Sequence, residues 1–137
     1  MIKIFINGTF DVLHPGHINL FKEAKNKGDF LHVAIDSDKR VSELKGENRP
    51  FNNQENRKFI LESIRYIDKV SIFYNDDHLK LLIYYYQPDI MMVGSDWKGK
   101  NIIGSEYAKQ LTFFDRDSRY STTEILESFI NRRQLHR

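Results

Sequence analysis

The chain has 137 residues, a net charge of +2 at pH 7 and no cysteine. This length suits a single domain with its own core, expected to span residues 1–137. The small charge gives no indication of nucleic-acid binding, and the lack of cysteine excludes disulfides and thiolate chemistry. No apolar stretch approaches the roughly 20 residues of a membrane span, and the chain opens on a strand-like run rather than a signal peptide. We therefore expect a cytoplasmic, soluble protein with no membrane or nucleic-acid partner.

Apolar strand-like runs alternate with helical patterns along the chain. The predicted strands are Ile2–Ile6, Phe30–Ile35, Lys69–Phe73, Ile90–Val93 and Leu111–Phe114, and the predicted helices are His17–Lys27, Asn53–Ser63, His78–Tyr86 and Thr122–Arg133. Gly28 stands where a helix C-terminal glycine is common. Residues 40–56 contain no convincing strand and are expected to form a long polar loop, a feature that is often functional. The alternation predicts an α/β, Rossmann-like, doubly wound fold, with an approximately five-stranded parallel sheet and helices on both faces.

Polar residues follow four of the five predicted strands. The four clusters are Gly8 to His17, Asp36 to Asp38, Gly94 to Trp97, and Arg116 to Thr123. In open parallel sheets, ligands bind at the carboxyl ends of the strands, near the point where the strand order reverses. The sequence therefore predicts one site built from four separated segments.

Two histidines, His14 and His17, lie at the turn from the first strand to the first helix. Helix N-terminal amides favour bound anions, so this turn predicts a phosphate site. Pro15 and Gly16 shape the turn and bring both imidazoles towards one point. The plainer interpretation is that both are ordinary loop and capping histidines.

A second phosphate-binding segment is predicted at the start of the last helix. Hydroxyl side chains at Ser121, Thr122 and Thr123 follow Arg116, which stands just upstream. Hydroxyls and free amides at a helix start, with a nearby guanidinium, suit a phosphate group. Ser121 with Glu124 also fits a capping box, and the two interpretations are compatible.

Two sequence strings carry a resemblance to a known family. Gly8 to His17, GTFDVLHPGH, resembles the signature of the cytidylyltransferase-like nucleotidyltransferases, and Arg116 to Thr123 resembles the R-x-x-x-x-S-T-T segment of the same family. The resemblance implies a single nucleotidyltransferase domain in which an acceptor phosphate attacks the α-phosphorus of a nucleoside triphosphate and pyrophosphate leaves. It implies catalytic roles for His14, His17, Lys45 and Arg116. It implies nucleotide contacts for Thr9, Phe10, His14, Gly16, His17, Gly94, Asp96, Arg116, Tyr120, Ser121, Thr122 and Thr123.

The resemblance also implies an acceptor site. Asp11, Lys45, Arg57, Arg65 and Lys80 are its expected residues, with Asp11 alternatively orienting a histidine or forming part of the turn. Arg57 and Arg65 are eight residues apart and share a helix face if the helix continues that far. Gly94 allows close approach to a base or ribose. Asp96 accepts from a base or ribose, or caps a turn, and Ser95 stands where the glycerol-3-phosphate cytidylyltransferases usually have an acid.

Two subfamilies compete for the substrates. The segment around Arg57, the Asp96–Lys100 run and Arg116 resemble glycerol-3-phosphate cytidylyltransferases. Residues Asp36 to Asn52 and Ile102 to Ser105 resemble heptose-1-phosphate adenylyltransferases. CTP with glycerol 3-phosphate is the preferred pair, ATP with heptose 1-phosphate is the alternative, and a non-catalytic nucleotide-binding regulator is a third.

Two further expectations concern what the protein binds. Mg²⁺ is expected on the nucleotide phosphates, with no metal site made by the protein itself. The resemblance also implies a homodimer.

Overall fold

A computed structural model describes residues 1–116, 119 and 121–135, with side chains described as far as residue 129. It contains five strands, β1 (Lys3–Gly8), β2 (Phe30–Asp36), β3 (Lys69–Phe73), β4 (Ile90–Gly94) and β5 (Gln110–Phe114). The helices are α1 (Pro15–Asn26), α2 (Asp38–Lys45), α3 (Gln54–Glu62), α4 (Asp76–Tyr86) and α5 (Thr122–Leu135). Short 3₁₀ turns cover Ser95–Trp97 and Ser105–Tyr107.

The five strands form one parallel sheet in the order β3-β2-β1-β4-β5. One face packs on α1 and α3 through a core that includes Phe21, Leu31 and Leu61. The other face packs on α4, where Leu79 and Ile83 meet strand residues of opposite parity. Helices on both faces explain why the strands are almost continuously apolar, and the predicted Rossmann-like doubly wound sheet is confirmed.

The sheet opens at the point where the strand order reverses. β1 pairs with β2 over six residues, from Lys3 with Phe30 to Gly8 with Ile35. Its pairing with β4 on the other side covers only Ile4 with Ile90 and Phe5 with Met91. The carboxyl ends of β1 and β4 therefore separate, and a cleft forms where ligands bind in sheets of this kind.

Part of the predicted polar loop is helical. Residues 38–45 form α2, in which Val41 alone is buried, so the segment lacks the apolar periodicity that identifies a helix in sequence. Its start is stabilised by Ser37, whose hydroxyl accepts from the Arg40 amide at 3.3 Å. The stretch without regular structure is shortened to residues 46–53.

Gly28 follows the C-cap of α1, as expected. Glycine is needed there because the packing leaves no room for a side chain, not because the backbone is left-handed. Its φ lies outside the left-handed range of the glycines at positions 46, 99 and 104. A Cβ at this position would lie 2.8 Å from the Ile2 carbonyl oxygen.

No helix in the described part of the chain is long and apolar enough to cross a membrane.

Candidate active site

A cavity of about 660 Å³ lies at the carboxyl edge of the sheet, over the separated ends of β1 and β4. The structure brings all four predicted segments to it. Thirteen of the predicted site residues line it: Thr9, Phe10, Asp11, His14, Gly16, His17, Lys45, Gly94, Asp96, Arg116, Ser121, Thr122 and Thr123. Tyr120 lies outside the described residues.

The two histidines cap helix α1 reciprocally. His14 Nδ1 accepts from the Gly16 amide at 3.1 Å, and His17 Nδ1 accepts from the His14 amide at 3.1 Å. Their rings stack with centroids 3.8 Å apart. A neutral imidazole whose Nδ1 is an acceptor carries its proton on Nε2. The capping interpretation is therefore correct, and it also fixes the tautomer of both rings so that each has an Nε2–H donor.

His17 is held neutral. Burial is the main cause that lowers its pKa to about 4, and electrostatic interactions with His14, Arg116 and Lys45 add to it. At neutral pH the ring is therefore an uncharged hydrogen-bond donor in a positive environment. A polyanion entering this environment would strengthen the donation, because negative charge favours the protonated ring.

The ring of Phe10 packs against the ring of His17. It adopts a left-handed backbone conformation with φ of 48°. Its ring meets the edge of His17 at 5.6 Å and of Phe21 at 5.0 Å. A Cβ on Gly8 would lie 2.9 Å from the Phe10 ring, so glycine is needed there for the ring to fit. Phe10 therefore joins the histidine turn to the core.

Asp11 fixes the loop between α2 and α3. Its carboxylate is almost fully buried and accepts from the amides of Phe51 at 2.6 Å and Asn52 at 2.8 Å. A third, longer contact of 3.3 Å comes from Nε of Arg49. Of the alternatives left by the sequence, the structure favours a turn residue that holds this loop against the cavity.

The start of α5 forms the opposite wall. Thr122 donates from its hydroxyl to the Val12 carbonyl at 2.6 Å, which ties α5 to the histidine turn. Ser121 accepts from the Glu124 amide at 3.3 Å, the capping half of the predicted box. Ser121, Thr122 and Thr123 line the same cavity as the histidines, and a helix start at this position suits a second phosphate contact.

Lys45 and Arg116 contribute positive charge. Burial lowers the pKa of Lys45, and the nearby Arg49 is the next cause. Arg116 is 74% exposed and lies 3.4 Å from an Asp96 carboxylate oxygen. The other Asp96 oxygen lies 2.6 Å from where a Cβ on Gly94 would stand, so glycine lets this carboxylate fold back over the strand end.

Three predicted acceptor residues lie away from the cavity lining. Arg57 is fully buried and donates to the Asn52 carbonyl, the Thr9 carbonyl and Asp38 at 3.0, 2.9 and 2.9 Å. α3 ends at Glu62, so Arg65 does not continue its face and is exposed, with its guanidinium over the Tyr66 ring. Lys80 is half exposed on α4 and pairs with Glu106 at 3.5 Å.

Although Asp36 lies in one of the four predicted segments, sequence reasoning gave no role to several charged residues at the cavity. Arg49, Arg40, Asp36 and Lys100 all line it. Asp36 accepts from Arg40 at 2.7 Å and from the Thr9 hydroxyl at 3.3 Å, which fixes the loop after β1. The position of Asp36 at the end of a buried strand was the available signal. Arg49 lies in an irregular loop and gave no such signal.

The residues 5–128 match the family model described as cytidylyltransferase-like. The chain belongs to this family of nucleotidyltransferases, which confirms the family and the enzyme class expected from the two signatures.

Among similar proteins are two named bifunctional protein HldE. The one from Campylobacter fetus subsp. fetus is 43% identical over 123 residues, and the one from Helicobacter pylori (strain Shi470) is 42% identical over 124 residues. Each match covers 90% of this chain but 27% of the relative, so the chain spans about a quarter of their length. A crystal structure of the lipopolysaccharide core biosynthesis protein from Thermoplasma volcanium GSS1 superposes with a TM-score of 0.67 at 27% identity, covering 88% of this chain and 99% of that one.

Proposed function

We propose that the protein transfers an adenylyl group from ATP to a sugar 1-phosphate, with heptose 1-phosphate as the leading acceptor, and releases pyrophosphate. The single observation that carries the proposal is the convergence of the histidine turn and the start of α5 on one cavity that also holds Lys45 and Arg116. Such a cavity presents neutral and charged donors to two phosphate-bearing substrates at once.

The reaction makes limited demands on the protein. An oxygen of the acceptor phosphate attacks the α-phosphorus and forms a new P–O bond, while the bond from the α-phosphorus to the bridging oxygen of pyrophosphate breaks. The attacking oxygen is already an anion, so no strong base is required. What remains is to align two polyanions and to stabilise the added charge at the α-phosphorus.

The histidines fit that requirement. The proton on Nε2 of His17 is available as a donor at neutral pH, and the ring is oriented by the His14 amide. A preorganised donor of this kind costs no reorganisation when charge develops on the phosphoryl oxygens. Lys45, Arg116 and the start of α5 supply the remaining compensation.

ATP is favoured over CTP by the relatives and by two regions of sequence. Similar proteins are HldE proteins, and residues 36–52 and 102–105 resemble heptose-1-phosphate adenylyltransferases. This support favours the alternative over the pair first preferred, CTP with glycerol 3-phosphate. The Asp96–Lys100 run and Arg116 are the features that keep the cytidylyl pair as a second candidate.

Mg²⁺ is proposed to enter with the triphosphate. The three carboxylates that line the cavity, Asp11, Asp36 and Asp96, each already form an ion pair with a protein cation. This donor set fits a metal carried by substrate phosphates, which neutralises their charge, better than one held by the protein.

The test is pyrophosphate release by the full chain with ATP or CTP against a panel of sugar 1-phosphates and glycerol 3-phosphate. The proposal predicts turnover with ATP and a sugar 1-phosphate at a kcat/KM at least tenfold above any pair that contains CTP. Turnover confined to CTP and glycerol 3-phosphate would favour the second candidate. Nucleotide binding without turnover by any pair would favour a regulator.

A further inference from the structure

Arg49 is a largely buried cavity residue whose charge is only partly compensated. It lies in the loop of residues 46–53, its side chain is 12% exposed, and it lines the cavity. Its Nε donates to Asp11 and its Nη1 donates to the Thr123 hydroxyl, both at 3.3 Å. Within the described part of the chain, no group accepts from Nη2. The guanidinium therefore connects the loop after β1 with α5 and has donor capacity left over.

The Asp11 carboxylate only partly compensates Arg49. Its two shortest contacts are the amides of Phe51 and Asn52, at 2.6 and 2.8 Å, and Arg49 makes the longest. Charge-assisted N–H···O bonds are usually 2.7–2.9 Å long. A guanidinium held at 3.3 Å on two sides is therefore positioned without being fully paired.

The cavity as described carries more positive than negative charge. Five cations line it, Arg40, Lys45, Arg49, Lys100 and Arg116, against the three carboxylates Asp11, Asp36 and Asp96. Asp36 pairs with Arg40, and Asp96 pairs with Arg116. Lys45 has no described carboxylate within 4 Å, and the carboxylates that act on it from farther away are Asp36 and then Asp11, while Arg49 pairs with Asp11. An anion that enters the cavity would supply the negative charge that Lys45 and Arg49 lack.

The strand order favours the acceptor phosphate as this anion, although Arg49 also contacts Thr123 of α5. Lys45 and the loop of Arg49 follow β2, whereas Gly94 and Asp96 follow β4, and the histidine turn follows β1 between them. A nucleoside placed at the β4 side, with its phosphates at the histidines and α5, leaves the β2 side for the second substrate. In-line displacement requires the attacking phosphate to approach the α-phosphorus from the side opposite pyrophosphate.

We propose that Arg49 binds the phosphate group of the acceptor, through the guanidinium edge that Asp11 and Thr123 leave open. This inference rests on the proposed function for the identity of the reaction. It adds a substrate-contacting residue that the sequence signatures do not include.

Steady-state kinetics provide the first test. Arg49→Gln and Arg49→Lys are compared with wild type and with Lys22→Gln, a charge-removing control at an exposed position of α1. Arg49→Gln is expected to raise the KM for the sugar 1-phosphate at least tenfold and to change the KM for ATP less than twofold. Arg49→Lys should recover part of the loss, since it keeps the charge but not the planar fork. An equal rise in the KM for ATP, or no change in the acceptor KM, would overturn the inference.

A binding measurement separates this inference from the proposed function. Inorganic phosphate is titrated into wild type and Arg49→Gln that are saturated with a non-reacting ATP analogue, and melting temperatures verify that both are folded. The expected result is phosphate binding by wild type that is weakened at least tenfold in the variant. If wild type fails to turn over ATP with any sugar 1-phosphate but this difference is found, the proposed function fails and the Arg49 site stands. Equal binding by the two proteins, or none by wild type, overturns the site.

Discussion

His17 uses its two ring nitrogens for different purposes. Nδ1 caps α1 by accepting from the His14 amide, and Nε2 is left as the donor towards the cavity. Asparagine places a polar atom near the position of Nδ1, whereas glutamine reaches the position of Nε2. The two substitutions therefore separate the capping role from the phosphate role.

We predict that His17→Asn lowers kcat by about 10²–10³, the cost of losing one preorganised transition-state donor. Its melting temperature should stay close to that of wild type because the cap is kept. His17→Gln should keep more activity, because glutamine reaches the Nε2 position, and glutamine at the third position of a helix can also bond the cap amide. The two variants are compared by initial rates and thermal melts, and the reverse order of activities would contradict a donor role for Nε2.

Arg57 is a structural residue in this fold. Its fully buried guanidinium satisfies the carbonyls of Thr9 and Asn52 and pairs with Asp38. Arg57→Met would leave both carbonyls without their donor, each at a cost of about 1–3 kcal/mol. We predict a loss of about 2–5 kcal/mol in the free energy of unfolding, measured by urea denaturation.

Arg65→Met is the matched control for Arg57→Met. Arg65 is exposed and stacks on Tyr66, so its replacement should change the free energy of unfolding by less than about 0.5 kcal/mol. Similar losses for the two variants would show that burial of Arg57 is not what makes it important.

His32 makes the free energy of unfolding depend on pH. Its ring is 3% exposed within β2, with Nε2 2.8 Å from the Ser71 hydroxyl, and burial is the main cause that lowers its pKa to about 4. An unfolded histidine titrates near 6.5, so between pH 4 and 6.5 the unfolded chain binds the proton and the native chain does not. Stability is therefore complete above pH 6.5 and is lost as the pH falls towards 4, with a slope of up to about 1.4 kcal/mol per pH unit for this group.

His32→Gln keeps a polar atom near Ser71 and does not titrate. It should give a shallower fall in the free energy of unfolding between pH 6.5 and 4 than wild type, measured by urea denaturation at each pH. His17 titrates in the same direction, so some slope is expected to remain. An unchanged slope would place the acid sensitivity elsewhere.

At the scale of elements, the Asp11 carboxylate is one of the groups that hold the α2–α3 loop in place, along with Arg57 and Ser42, which donate to carbonyls of the loop. Asp11 accepts from the amides of Phe51 and Asn52, which neither helix satisfies. An asparagine has one acceptor oxygen in place of two, so Asp11→Asn cannot hold both amides. We predict faster hydrogen exchange at Phe51 and Asn52 by about tenfold or more, together with reduced turnover.

Asp29→Asn is a suitable control for the loop experiment. Asp29 accepts from the Ile2 amide at 2.7 Å, at the other end of β1 from the cavity. Its replacement should leave exchange at Phe51 and Asn52 unchanged. If both variants accelerate exchange there equally, the effect is global rather than local to the loop.

Elements with a repeating apolar pattern could be predicted from the sequence. The five strands and four of the helices differ from their predicted bounds by at most two residues. α2 could not be predicted in this way, because a helix with Val41 as its one buried residue has no periodic signal. Its capping by Ser37 and the ion pair of Arg40 with Asp36 depend on contacts that only the folded chain creates.

At the scale of the whole molecule, the site is an outcome of strand order. Parallel strands bring Gly8, Asp36, Gly94 and Phe114 to one edge, so segments distant in sequence meet at one cavity. That convergence was predictable from the position of polar residues after strands. The placement of Arg57 away from the cavity and of Arg49 within it was not, since each depends on a loop path that local sequence does not encode.

A homodimer, a cytoplasmic location and a single-domain organisation stay predictions at this scale. The central claim does not depend on them, because the two phosphate-binding segments and the histidines belong to one chain.

The most direct test of that claim follows the α-phosphorus itself. The full chain is incubated with Mg²⁺, ATP labelled at the α-phosphorus and a sugar 1-phosphate, and the products are separated. We predict that the label moves into an ADP-sugar, in amounts equal to the pyrophosphate released, and that His17→Asn abolishes at least 99% of the rate. Label that stays in ATP in the presence of every sugar 1-phosphate, or that appears in ADP with release of inorganic phosphate, would contradict adenylyl transfer as the function of this site.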